Sequence, residues 1–205
     1  MTIKRWAAPC LAVPFLLGTT APAWAHAFKS GSDFYEQFQE GGGVILAYPA
    51  TLLPVLAAGL LVGLWDKDGM ARSFPFFAVG ILLGIPLASI VGPSVALVCV
   101  VLGMIVATLA AVLNKHVAIE SFAVAFATGL LTSAVALEGH GLFELPFFIH
   151  AGIVVLAIVV FVACANLVRL TMNRFKNPII AIGFRVAASW IAAALLMMLA
   201  FELRG

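Results

Sequence analysis

The residues best suited to chemistry lie within positions 138–150, which read EGHGLFELPFFIH. Two of the four histidines and two of the nine acidic residues in the chain fall here. Imidazole nitrogen combined with carboxylate oxygen suits a borderline divalent ion: Ni²⁺, Co²⁺ or Zn²⁺, with Cu²⁺ also accommodated. His140 and Glu144 are four residues apart, so a local helical turn would set them on one face. His150 follows about one turn into an apolar segment. A full ligand set needs a further donor, and His26 is the obvious one. At a processed N-terminus its amine and imidazole would chelate together. The expected metal set is therefore His140, Glu144, His150 and His26. The competing expectation is a polar loop in which His150 bonds a neighbouring carbonyl. No phosphate-binding loop, HExxH, CxxC or nucleophile elbow occurs, so neither catalysis nor a resident cofactor is expected.

The elements that must position these residues are apolar. Of 205 residues, 64% are hydrophobic and 10% charged, with a mean hydropathy of +1.17. Soluble domains carry roughly 25% charged residues, so most of this chain must face lipid. A net charge of +2, spread between segments, excludes a nucleic-acid partner.

Residues 1–25 have the form of a cleaved signal peptide. Lys4 and Arg5 precede a short apolar run, and Ala23-Trp24-Ala25 offers a small-x-small cleavage site before His26. Residues 26–43 should follow as a periplasmic amphipathic segment. Phe34, Tyr35 and Phe38 take helical spacing there, and Gly41-Gly42-Gly43 should end the helix. Six apolar segments of spanning length come next, at about 44–65, 74–92, 94–113, 117–137, 145–168 and 178–201. Fold class is thus an all-α integral membrane protein, a six-transmembrane-helix bundle in which sequence neighbours pack antiparallel.

Lys67, Arg72, Lys115, Arg169, Arg174 and Lys176 fall on one side of this topology, against Lys29 and Arg204 on the other. The richer side should be cytoplasmic. Both termini and the loop carrying His140 then face the periplasm of a bacterial inner membrane. Glu120 and Arg185 both fall inside spans near the cytoplasmic side, where an intramembrane ion pair would satisfy both. Mid-depth positions carry almost no polar groups, and Cys99 and Cys164 read as packing residues too far apart in depth for a disulfide.

Signal peptide, start at His26-Ala27, six spans and a Gly63-Leu64-Trp65 closing the first span together resemble the HupE/UreJ family. These are small membrane proteins associated with hydrogenase and urease gene clusters and regarded as nickel or cobalt permeases. Residues 48–65, YPATLLPVLAAGLLVGLW, match the family's first span in length and at Pro49, Gly63, Leu64 and Trp65. Tyr48 stands where that span carries its first His, and Pro54-Val55 where it carries Asp-His. Residues 138–144, EGHGLFE, resemble the family's His-Gly-rich stretch ending in Glu. The resemblance implies an inner-membrane permease or metal-handling protein of nickel/cobalt type. A non-transporting accessory subunit, packed on a larger membrane complex or on a second copy of the chain, is the alternative.

Overall fold

The computed structural model describes residues 28, 33–65, 69–92, 94–113, 118–141, 144–175 and 177–204, with residues 69 and 118–120 described by their backbone alone. The signal-peptide segment and His26 lie outside the described residues. Among those described, all regular structure is helical: α1 (Phe34–Ala47), α2 (Pro49–Trp65), α3 (Gly69–Ala88), α4 (Ser94–Val112), α5 (Ala118–Ala136), α6 (Phe147–Phe175) and α7 (Pro178–Glu202). Met70–Ala88, Ser94–Val112, Phe147–Phe175 and Pro178–Glu202 are long and apolar enough to cross a membrane. The bent pair α1–α2 passes the same test as a unit, and α5 contributes the shorter apolar stretch Ser121–Ala136. The chain is a membrane-spanning helical bundle.

The first span departs from expectation. Helix α1 runs straight through Gly41-Gly42-Gly43 and stops at Tyr48, where the axis turns by 71° into α2. Proline explains the position of the break. A residue preceding proline is pushed out of the helical region, and Tyr48 has φ −99°, ψ 111° before Pro49. Proline at the first helical position of α2 sacrifices no hydrogen bond there. The Thr51 hydroxyl donates to the Tyr48 carbonyl at 2.8 Å and lies 3.4 Å from the Ile45 carbonyl, the one that Pro49 leaves without its N–H. The glycines serve a different purpose. A Cβ on Gly41 would strike the Ile149 carbonyl, and one on Gly152 would strike that of Phe38. Small residues here let α1 cross α6 with backbones in contact.

Helices that are not neighbours in sequence make the closest contacts. Helix α3 packs chiefly on α5 and runs parallel to it, Gly80 lying against Phe126 and Gly84 against Leu130. Helix α2 is central and runs parallel to α4 and α6, with Gly103 against Pro54, and Gly59 and Gly63 against Phe161 to Val168. Short connections do reverse the chain each time. The small residues that permit close approach, however, lie on faces turned toward helices that are not sequence neighbours: α5 for α3, α4 and α6 for α2, and α6 for α1. Phe77 and Phe161, both fully buried, stack at 4.2 Å and lock α3 to α6 in the middle of the bundle. This arrangement gathers the starts of α2, α4 and α6 with the finishes of α3, α5 and α7 at one end, the histidine end.

The α3–α5 contact gives a direct stability test. A Cβ on Gly129 would strike the Phe77 carbonyl and come within 3.1 Å of the Ile81 nitrogen, and neither backbone atom can yield. Nothing lies within 4 Å of a Cβ built on Gly43. Gly129→Ala is expected to lower stability by about 1–3 kcal/mol. Gly43→Ala should be neutral or stabilising by roughly 0.5–1 kcal/mol. Thermal unfolding of the two variants in one detergent checks the contrast.

Candidate functional site: a two-histidine recess

Helix α5 ends in a way that presents His140. Gly139 takes φ +81°, a left-handed conformation open to glycine that commonly closes helices. The His140 backbone N–H then donates to the Leu137 carbonyl at 3.1 Å. Its imidazole Nδ1 is 3.2 Å from the Glu138 carbonyl. Across the loop, the first turn of α6 places His150 Nδ1 at 3.2 Å from the Pro146 carbonyl. A carbonyl can only accept, so each Nδ1 must carry the proton, and in the neutral ring each Nε2 is left with its lone pair. Metal-ligating histidines commonly have this arrangement, the far nitrogen fixed by a carbonyl so that the near one is free and basic. Both half-buried rings line one small recess together with Ile85, Leu137 and Leu145.

Glu144 sits differently. It is exposed, and one carboxylate oxygen accepts from the Gly141 N–H at 2.6 Å, tying the loop into a turn rather than a helical face. Among the described residues no three His, Cys, Asp or Glu side chains gather closely enough to hold a metal ion. The structure therefore brings His140 and His150 to one recess and gives Glu144 a loop-closing bond. His26 lies outside the described residues. So does the Glu120–Arg185 pair, because Glu120 is described by its backbone alone; Arg185 is half-buried, and its Nε is enclosed without a partner among the described residues.

Three features at and below this end were not singled out from sequence. Phe28 packs edge-on against the His140 ring, centroids 5.1 Å apart. Tyr48, Glu138 and Glu202 converge, Tyr48 and Glu202 lining a second recess between the ends of α2, α4 and α7. The bundle interior is also more polar than expected. Thr128, Thr132 and Ser133 of α5 are fully buried at depths where almost no polar group was anticipated. Ser133 donates to the Ile81 carbonyl at 2.8 Å, whereas the Thr128 and Thr132 hydroxyls have no partner among the described residues. An enclosed hydroxyl left unsatisfied costs about 1–3 kcal/mol.

The chain matches no family model, no curated protein and no solved structure.

Burial, and secondarily repulsion by Glu202, hold the Glu138 carboxyl above its ordinary value of 4.5. Between that value and the raised one, the folded chain binds more protons than the unfolded chain. Stability therefore falls as pH rises through this window. Glu138→Gln, neutral throughout, should unfold at a higher temperature than the parent at about pH 7 and lose that advantage toward about pH 4. Melts in chelator-containing buffer read the effect. An equal difference at both pH values would show that charge is not its source.

Proposed function

We propose that the protein is an inner-membrane permease or metal-handling protein of the HupE/UreJ kind. It captures a divalent transition-metal ion, nickel or cobalt in type, on the periplasmic side. The observation that carries this reading is the pair of imidazoles lining one recess, each with Nδ1–H held by a carbonyl and Nε2 left as a ligand. Glu144 of the same loop would have to leave its bond to the Gly141 N–H to join them, and His26 would complete the set once residues 1–25 are removed as a signal peptide. The topology is six spans, with α1–α2 as one broken span and α5 counted among them. Both termini face the periplasm, and Arg169 and Arg174 near the end of α6 lie at the cytoplasmic side. The protein performs no catalysis; the ion is its cargo.

A second reading is favoured by α7. Ile179, Ile182, Trp190, Met197 and Phe201 leave its outer face exposed and apolar. That face suits lipid, and it equally suits a larger membrane complex against which the chain serves as an accessory subunit.

Calorimetric titration of the purified mature protein with Ni²⁺ and Co²⁺ separates the two readings. Capture predicts a saturable site that weakens by at least about tenfold in both His140→Ala and His150→Ala. Binding also raises the unfolding temperature as ligand concentration increases. A mature protein that binds neither ion, and that copurifies with a larger complex, overturns capture in favour of the accessory reading.

A further inference from the structure

Threonine inside a helix ordinarily satisfies its own hydroxyl by donating to a carbonyl one turn back. Lipid-facing residues of this chain do so: Thr108 to Met104 at 2.8 Å, Thr171 to Leu167 at 2.6 Å. Thr128 and Thr132, fully enclosed in the bundle, do not. Their oxygens are turned away from their own helix into the interior, one turn apart.

The face they occupy is defined by its neighbours. Gly129 and Ser133 of α5 pack on α3. Leu131, Ala134 and Val135 pack with Val95 and Cys99 of α4. The remaining inward face of α5 carries Ser121, Thr128 and Thr132 at spacings of seven and four, and it is turned toward the central helix α2. These three positions span about 16 Å along the axis, roughly half of a ~30 Å hydrocarbon core. Above Thr132 the helix continues to Leu137, which lines the histidine recess. At the far end of α3, Ser73 is, like Thr128 and Thr132, a fully buried residue whose hydroxyl lacks a partner among the described residues.

Building on the capture site above, we propose that this hydroxyl face of α5 lines the route by which the captured cation crosses the bundle. Each threonine oxygen offers one donor and two acceptor sites to a hydrated ion. Such neutral oxygens bind weakly enough to release what they receive, as conduction requires. Unpartnered hydroxyls are costly in a closed core and useful in one that opens to water.

The test uses Ni²⁺ with the full mature protein in proteoliposomes, paired with calorimetry in detergent. Thr128→Val with Thr132→Val removes two hydroxyls and keeps side-chain shape. The expected result is Ni²⁺ binding and heat stability no lower than the parent, with Ni²⁺ entry reduced to that of empty liposomes. Thr128→Ser with Thr132→Ser should restore entry. Parental entry by the valine double variant overturns the route and leaves capture standing. Binding without entry by the parent does the same. Loss of stability in the valine variant overturns the proposal by showing that the hydroxyls are structural. Absence of Ni²⁺ binding by the parent overturns capture, and the route with it.

Discussion

Inside a hydrocarbon layer every backbone carbonyl needs a partner from the protein, because no water stands ready to supply one. Proline makes that constraint acute by removing the N–H that would serve the carbonyl four residues earlier. Pro54 lies inside α2, and the carbonyl it strands belongs to Ala50. Cys99 of α4, fully buried, brings its Sγ–H to that oxygen at 3.5 Å. Pro49 strands Ile45, whose carbonyl receives the Thr51 hydroxyl at 3.4 Å. The central helix thus survives two prolines, one placed at a break and one repaired from a neighbouring helix. Because Cys99 must reach Ala50, the repair also fixes the register of α4 on α2. A cysteine that reads from sequence as mere packing turns out to be a hydrogen-bond donor at a fixed address.

Glycine solves the complementary problem of distance. Gly80 and Gly84 on α3 face Gly129 and Ser133 on α5, small residues at four-residue spacing on both partners. Dispersion and weak polar contacts, rather than the hydrophobic effect, must hold helices together in lipid, so backbone proximity is the main source of affinity. The same device fastens α1 to α6 through Gly41 and Gly152. That second contact has a functional consequence. It holds α1 across the start of α6, where His150 is found, and Phe28 just ahead of α1 reaches the His140 ring. Residues on both sides of the loop line the recess, Leu137, His140 and Gly141 before it and Leu145 and His150 after it, and Phe28 touches one of its rings.

The apolar segments, their approximate lengths and the all-helical class were legible in sequence because lipid-facing helices announce themselves by hydropathy. The partners of those helices were not. Which face of a helix carries its glycines decides whether it packs on the next helix or the one after, and hydropathy averages that information away. The Gly41-Gly42-Gly43 run was misread for a related reason. Glycine weakens an isolated helix, yet contact with Ile149 and Leu156 keeps this one intact, tertiary packing overriding local preference. The two loop histidines were singled out in sequence by residue type alone. The Nδ1 anchors on Glu138 and Pro146 were largely invisible, since a carbonyl has no signature in sequence.

The resemblance to HupE/UreJ proteins acquires a specific form once the bundle is seen. Tyr48, standing where that family carries its first-span histidine, lies at the hinge on the histidine end, close enough to Glu138 and Glu202 to feel their charge. Pro54 and Val55, standing where the family carries Asp-His, are buried in the core, Pro54 flush against Gly103. No carboxylate or imidazole fits there without opening the α2–α4 contact. First-span ligation is thus closed off in this chain by packing, not merely by the substitution of three residues. Any capture of cations at this end has to rest on the loop histidines, which sit where both rings are already oriented and where desolvating a charge is least costly. Beneath them the bundle interior offers the neutral hydroxyls of Thr128, Thr132 and Ser133.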